Sequence, residues 1–365
     1  MRLQRDLDYL LIAGTLILVL FGIIMIYSST HNFAYNPDFG TYYLRQFMWA
    51  IFGLILMFVI ANIDYQILIE VSHIFYILTL VLLIATFLFG GRIAGAQRWF
   101  RLGPISIQSS EIAKISIILM LVRFFTDQKG KIGIVSGLFF AFIIVMIPMA
   151  LIIKQPDLGT ALLFIPTVFC MLYIVGVRLK YLGYILGGFA FSFPFIWLLL
   201  KEYQKLRLLT FLNPGMDPRG AGYNVIQSQI AIGSGGFFGK GLMHGTQVQL
   251  NFVPEHHTDF IFAVIGEEVG FFGVLIILLL YLFIIFQGIK IVTLARDMTG
   301  VLIAIGITTL IAIQTIINIG MTMGILPVTG IPLPFMSYGG SSLLTNMCAI
   351  GILLSVHRCS TKFLG

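Results

Sequence analysis

The stretch 251–270, NFVPEHHTDFIFAVIGEEVG, holds the residues whose types best suit chemistry. It opens as a polar loop with Pro254, Glu255, His256 and His257. Thr258 is the predicted N-cap of a long apolar helix, with Asp259 in its first turn. An acid there complements the helix dipole, which is the plain structural reading. The same position favours the ionised form, which a general base needs. Glu267 and Glu268 interrupt the apolar run about two turns later. Carboxylates at the mouth of a membrane helix are costly unless they have a role. Asp259 is therefore the candidate catalytic carboxylate at a membrane surface. Glu267 and Glu268 fall on other helix faces, so no paired-acid glycosidase geometry follows. Adjacent side chains diverge, which makes His256 and His257 a weak metal pair.

Basic and polar clusters surround this acid in the sequence. The run 90–104, GGRIAGAQRWFRLGP, sets Arg92, Arg98 and Arg101 among glycines. Guanidinium forks suit phosphate oxygens, and glycines let backbone approach a ligand. A plain headgroup-binding loop with a Trp anchor is the competing reading. Glu111 and Lys114 share a helix face, either as a self-neutralising structural pair or as part of the active cavity. In KQPDLGT, 154–160, Pro156 breaks a helix and Asp157 either caps the next one or positions an arginine or a metal. The segment from about 201 to 259 carries Arg207, Asp217, Arg219 and a run of glycines, GSGGFFGKG, at 233–241. Those glycines miss the P-loop spacing, so a nucleotide site is not indicated. Residues 223–232 have apolar members at helical spacing, which predicts a helix lying along the surface. The segment 318–342 has Pro327, Pro332, Pro334 and several glycines but no charge. It reads as irregular backbone lining a cavity at the outer membrane face, or as a simple connection.

What positions these residues is a membrane bundle. The 365 residues are 59% hydrophobic and 10% charged, with mean hydropathy +1.01. Soluble domains carry roughly 25% charged residues, so a globular enzyme is excluded. Ten apolar runs are long enough to span, at 8–27, 43–61, 68–90, 110–126, 132–153, 158–176, 181–200, 260–288, 300–324 and 341–357. The fold class is all-α, one domain over 1–365, with both termini on the same side. The first run lacks a small-residue cleavage site, so it reads as an uncleaved span. Lys and Arg divide evenly between the two sides. The set on the N-terminal side is spread over short loops and ends, and the other bunches in two long Gly-rich loops. Short-loop charge sets orientation, which places both termini in the cytoplasm and the 201–259 loop, between spans seven and eight, outside. Net charge +7 is then topology and anionic lipid rather than nucleic-acid binding. Cys170, Cys348 and Cys359 form no CxxC pair, so neither a disulfide framework nor a thiolate metal site is indicated.

At these residues the chain resembles the SEDS family (shape, elongation, division and sporulation). The matching motifs are GAxRW at 95–99, SIQxSExxK at 106–114, KQPDLGT at 154–160, DPxGAGY at 217–223 and GSGGxxGxG at 233–241. PEHHTDFIF at 254–262 and the closing PxxGxPxPxxSYGGSS at 327–342 complete the order. Two adjacent histidines after Pro254-Glu255 look like the elongation branch rather than the division branch. Ser109, where the family often has Pro, departs from the pattern.

The resemblance implies ten spans with the N-terminus inside, and peptidoglycan glycosyltransferase activity on the lipid-linked disaccharide-peptide, lipid II. It implies that Asp259 is catalytic, that Glu111 and Lys114 pair inside the membrane, and that a class B penicillin-binding protein is the partner. Elongation-complex membrane proteins are further expected partners. A divalent cation, Mg or Mn, is expected with unknown ligands, and no nucleotide is used because the donor is already activated. In that chemistry Arg98, Arg101, Arg207 and Arg219 are the candidates to neutralise a departing pyrophosphate. Asp157, Glu255, His257, Thr258, Ser337 and Ser341 lie in matched motifs as supporting residues. A lipid II flippase is the alternative, since intramembrane charges and broken helices also suit transporters. A scaffold that only anchors its partner is a third reading.

Overall fold

The computed structural model describes residues 7–31, 40–93, 96–102, 105–127, 134–199, 202–217 and 220–364. Long helices dominate it: α1 (Tyr9–Thr30), α2 (Tyr42–Asn62), the short α3 (Tyr65–Glu70) and α4 (Ser72–Phe89). A sheet follows, then α5 (Ser109–Asp127), α6 (Ile134–Lys154), α7 (Leu158–Val175) and α8 (Leu179–Leu199). After α9 (Glu202–Leu212), α10 (Ala221–Ser234) and α11 (Thr246–Gln249) come α12 (Ile261–Leu294), α13 (Met298–Thr322) and α14 (Gly340–Leu364). Among the described residues, eight helices are long and apolar enough to cross a membrane, so the chain is a multi-pass membrane protein. The 19-residue α5 and the 21-residue α8 occupy the two other stretches read from the sequence as spans.

Local signals set the helix ends. Asp8 caps α1 by accepting from the backbone N–H of Leu10 and Leu11, and Asp297 caps α13 through Gly300. Gly176 ends α7 at φ 97°, a left-handed cap that favours glycine. α13 sits centrally, packed on α5, α7, α12 and α14, while α14 lies along α2.

Three features depart from the sequence expectation. First, the chain is not purely helical. The arginine loop forms an antiparallel sheet of β1 (Gly91–Ile93), β2 (Ala96–Leu102) and β3 (Ile105–Gln108). Trp99 faces Gln108 and Phe100 faces Ile107 in register. Only β3, Ile-Ser-Ile-Gln at 105–108, shows the period-two alternation of a strand, and four residues beside Gly103 and Pro104 are a short signal.

Second, 201–259 holds more structure than the one helix expected at 223–232: α10 supplies that helix, and α9, a 3-10 turn at Pro214–Met216 and α11 add to it.

Third, α12 is not one rod. Its 34 residues would extend ~51 Å, more than the ~30 Å hydrocarbon core requires. Gly270, at φ 71° and ψ −165°, breaks it. The Gly-rich segment heals the break with backbone bonds. Lys240 N–H donates to Glu267 O and Gly241 N–H to Glu268 O, both at 3.0 Å. In return Phe271 N–H donates to Gly236 O at 2.9 Å and Phe272 N–H to Phe237 O at 3.2 Å. A Cβ on Gly239 would lie 2.2 Å from Glu268 O, so glycine is obligatory for this approach. Those glycines thus serve backbone packing. Glu267 and Glu268 sit just before the break, and both are spoken for. Glu267 accepts from Lys240 Nζ at 2.7 Å, from Thr246 Oγ1 at 3.2 Å, and from the N–H groups of Gln247 and Val248. Glu268 accepts from Ser28 Oγ at 2.5 Å, which ties α12 to α1.

Candidate active site

Asp259 does not occupy a first helical turn. α12 starts at Ile261 behind Phe260, with no side-chain cap. Thr258 is therefore not the N-cap. Its hydroxyl lies 3.2 Å from both Glu255 O and Glu255 Oε2, closing a tight turn. The N–H groups of Thr258 and Phe260 also donate to Glu255 O, and Glu255 itself takes φ 51°. A left-handed glutamate is a strained conformation of the kind that persists where surrounding bonds enforce it.

Those bonds come mostly from the proline-glycine strap, residues 323–339, which follows α13 rather than starting at 318 as the sequence had indicated. Three consecutive carbonyls of the acidic segment each accept from a different donor. Tyr338 N–H donates to His257 O at 2.9 Å, Ser337 Oγ to Thr258 O at 2.6 Å, and Asn318 Nδ2 to Asp259 O at 2.9 Å. Asn318, on α13, also donates to Ile331 O at 2.7 Å, so one amide holds both the acid and the strap. Gln46 on α2 clasps the strap's far end, donating to Ser337 O and accepting from Gly339 N–H, both at 3.1 Å. Gly330, at φ 72°, passes so close that a Cβ there would lie 3.2 Å from Asp259 Oδ2. Neither Asn318 nor Gln46 stood out in the sequence. Their one signal is a buried amide within an apolar helix, costly unless hydrogen-bonded.

The charges around Asp259 oppose one another. The acid is partly buried, and that burial, helped by the nearby Glu255 charge, raises its pKa from 3.8 to about 6. Arg98 and Arg207 pull it back down, and Asp157 pushes it up. Arg98, on β2, donates to Pro156 O, and its Nη1 lies 3.9 Å from Asp157 Oδ1. Asp157 is fully committed: it caps α7 through Thr160 N–H and accepts from Thr160 Oγ1 and Ser110 Oγ, both at 2.9 Å. Gln108 Nε2 is a further donor to it at 3.4 Å. Asp157 therefore aims Arg98 rather than reacting. Ser341 Oγ donates to Ser106 O and accepts from Gln108 N–H, which joins α14 to the sheet that carries Arg98. Arg101 lies on the same strand; Arg219 falls outside the described residues.

His257 packs against Tyr42 and Tyr338, its ring centroid 5.1 and 5.8 Å from theirs. Burial, and then the neighbouring His256, lower its pKa to about 3, so its imidazole is neutral. Each ring nitrogen of His256 lies 3.0 Å from a carbonyl, Val253 O and Ser29 O, so this residue bridges the loop to α1. Among the described residues no three His, Cys, Asp or Glu converge on a possible metal position.

Lys114 Nζ stands 2.7 Å from Glu111 Oε2, and both side chains are 1% exposed. Lys114 also donates to Gln314 Oε1 at 3.3 Å, and Gln314 Nε2 donates to Pro332 O at 3.0 Å. The pair therefore reaches the strap through Gln314. Taken together, the site is an acid of raised pKa, fixed by three carbonyl bonds and flanked by two arginines, at one end of the bundle.

Comparison with known proteins agrees with the motifs. A family model described as FTSW_RODA_SPOVE, cell cycle protein, matches residues 8–362. The peptidoglycan glycosyltransferase MrdB of Escherichia coli (strain K12) is 42% identical over 306 residues, 84% of this chain and 82% of that one. The peptidoglycan glycosyltransferase RodA of Treponema pallidum (strain Nichols) is 35% identical over 424 residues, covering 96% of this chain and 98% of that one. Among solved structures, a chain from a peptidoglycan synthase complex that coordinates polymerization and crosslinking superposes with TM-score 0.85. It is 29% identical, and the match covers 98% of this chain and 99% of that one. This chain belongs to the FtsW/RodA/SpoVE family, the SEDS proteins.

Proposed function

We propose that the chain polymerises lipid II into glycan strands at the outer face of the bacterial cytoplasmic membrane, during elongation and rod-shape maintenance. It is a glycosyltransferase, as its curated relatives are. The observation that carries the mechanism is Asp259, an acid whose pKa is raised to about 6 within charge range of Arg98 and Arg207. At about pH 7 such a carboxylate is mostly ionised, yet basic enough to accept a proton. Asp259 takes the proton from the 4-hydroxyl of the acceptor's GlcNAc. That oxygen forms a bond to C1 of the MurNAc ending the growing chain. The bond from C1 to the α-linked pyrophosphate breaks, and the pyrophosphate leaves with both electrons. Attack from the opposite face inverts C1 and makes a β-1,4 linkage. Base assistance is worth about 10²–10⁴-fold. Arg98 and Arg207 stabilise the charge gathering on the leaving group, with Arg101, on the strand of Arg98, and Arg219, outside the described residues, as further candidates.

Among the described residues no His, Cys, Asp and Glu form a closed metal cage. The residues present do fit a Mg or Mn ion completed by substrate, because such ions commonly use one or two carboxylates plus phosphate oxygens. Glu255, exposed and acting directly on Asp259, is the residue that would hold it. The ion would supply further neutralisation of pyrophosphate.

The topology that goes with this is ten spans with both termini cytoplasmic, α5 and α8 completing the set, and 201–259 outside. The 365 residues act as one domain, and a class B penicillin-binding protein crosslinks the product. The test is polymerisation of labelled lipid II in detergent by the chain with that partner, the partner's own crosslinking serine removed. The expected result is β-linked polymer. Its absence, with both proteins folded, would overturn the proposal.

A further inference from the structure

Joining two lipid-linked sugars brings two pyrophosphates to one acid, and they cannot occupy the same place. On the growing chain, the pyrophosphate is attached to the very carbon under attack. Its cations must therefore lie within charge range of Asp259, as Arg98 and Arg207 do. On the incoming acceptor, the reacting hydroxyl is at the opposite end of the disaccharide from the pyrophosphate. That pyrophosphate needs a cation one disaccharide away, joined to Asp259 by a surface on which sugars can lie.

One face of α2 offers a cation that is not among the charges acting on Asp259, with aromatic rings beside it. Tyr42, Arg45, Gln46 and Trp49 recur at helical spacing, so they share that face. Gln46 clasps the strap at Ser337 and Gly339, and Trp49 packs where a Cβ on Gly340 would touch its ring at 2.6 Å. Between them Arg45 is exposed and donates to the Tyr338 hydroxyl. Tyr338 stacks on Tyr42 with centroids 4.6 Å apart and planes 11° from parallel. His257 closes the trio 5.1 Å from Tyr42, and it lies two residues before Asp259. A run of packed rings thus leads from an exposed guanidinium to the turn that carries the acid. Aromatic faces accept the C–H faces of pyranose rings, and guanidinium forks suit phosphate oxygens.

The geometry points to Arg45, Tyr42, Tyr338 and His257 as the berth of the incoming acceptor. Arg45 pairs with the retained pyrophosphate, and the aromatic wall carries the sugars toward Asp259. This rests on the glycosyl-transfer reading above. It divides the basic residues by role: Arg98 and Arg207 serve the pyrophosphate that leaves, and Arg45 the one that stays.

The test uses the full chain in a nonionic detergent, so that no anionic headgroup competes. Lipid II binding is measured on Asp259→Asn protein with and without Arg45→Gln, and Arg45→Lys serves as the charge-keeping variant. Loss of a charge-assisted pair should weaken binding about tenfold or more, and lysine should recover part of it. In the active background, with a preformed lipid-linked chain as donor, Arg45→Gln should raise KM for lipid II and leave kcat nearly unchanged. Arg98→Gln should instead lower kcat. If Arg45→Gln changes neither binding nor KM, Arg45 is only a membrane-surface anchor and the berth is wrong. A fall in kcat alone would also overturn it. Residual full activity of Asp259→Asn would sink the base assignment instead, while KM for lipid II would still judge Arg45.

Discussion

The pH dependence of polymerisation tests the electrostatics of Asp259 in the wild type and two variants at once. A base with a pKa of about 6 is ionised in roughly one molecule in eleven at about pH 5, and in roughly ten in eleven at about pH 7. kcat/KM should therefore fall about tenfold across that interval. An unperturbed carboxylate at 3.8 would lose only about a twentieth of its activity over the same range. The substrate does not obscure this, because a pyrophosphate esterified at both ends keeps its charges throughout. The structure also fixes the sign of two shifts. Glu255 raises the pKa of Asp259, so Glu255→Gln should move the acidic limb to lower pH. Arg98 lowers it, so in Arg98→Gln the residual activity should have its limb at higher pH. The assay is the initial rate with labelled lipid II at subsaturating concentration, from about pH 4.5 to about pH 8, in constant ionic strength. A limb near the ordinary carboxylate value, or one unmoved by both substitutions, would refute the reasoning.

Other substitutions probe the supports. Asn318→Ala strands two buried carbonyls, Asp259 O and Ile331 O; it should cost about 2–3 kcal/mol by thermal unfolding in detergent and reduce activity further than stability explains. Gly330→Ala puts a methyl 3.2 Å from Asp259 Oδ2 in a left-handed backbone, so kcat should drop with KM little changed. Lys114→Met leaves Glu111 buried and alone, a loss of roughly 3–5 kcal/mol, whereas Glu111→Gln with Lys114→Met should be milder; a double variant as unstable as the single one would contradict the pairing. Native protein takes up a proton on Asp259 between pH 3.8 and about 6, where an unfolded chain does not, so this acid destabilises the fold increasingly as pH rises through that window. Asp259→Asn should accordingly melt higher than wild type above about pH 6 and equally below about pH 4, read from melting curves at each pH.

Much of this arrangement is legible in the residues themselves. Apolar runs of span length stand out in a chain so poor in charge, and ends of α1, α7 and α13 follow from Asp8, Asp157, Asp297 and Gly176. The Glu111–Lys114 spacing marks a shared helix face, and they stand as a buried pair. Long-range partners are harder to read. Thr258 and Asp259 have the types of a cap and a first-turn acid, yet the helix starts later because the strap, not the dipole, satisfies this backbone. The glycines at 233–241 resemble a ligand loop, but they exist to let backbone approach the break at Gly270. Asn318 and Gln46 are single amides in apolar helices, and only the folded chain brings them to the acid's carbonyls and to the strap. Sheet formation at 91–108 needed a period-two pattern of a few residues to outweigh flanking glycines, a signal too short to separate from a loop.

The central claim is that Asp259 removes the proton from the attacking sugar hydroxyl, and single-turnover polymerisation by Asp259→Asn protein tests it most directly. Asparagine keeps the shape and the three bonds, which are accepted by backbone carbonyls and not by the acid's side chain, and removes only the basicity. With folding and lipid II binding verified, the account predicts a rate reduced about 10²-fold or more. A rate within a few-fold of wild type at about pH 7 would contradict it.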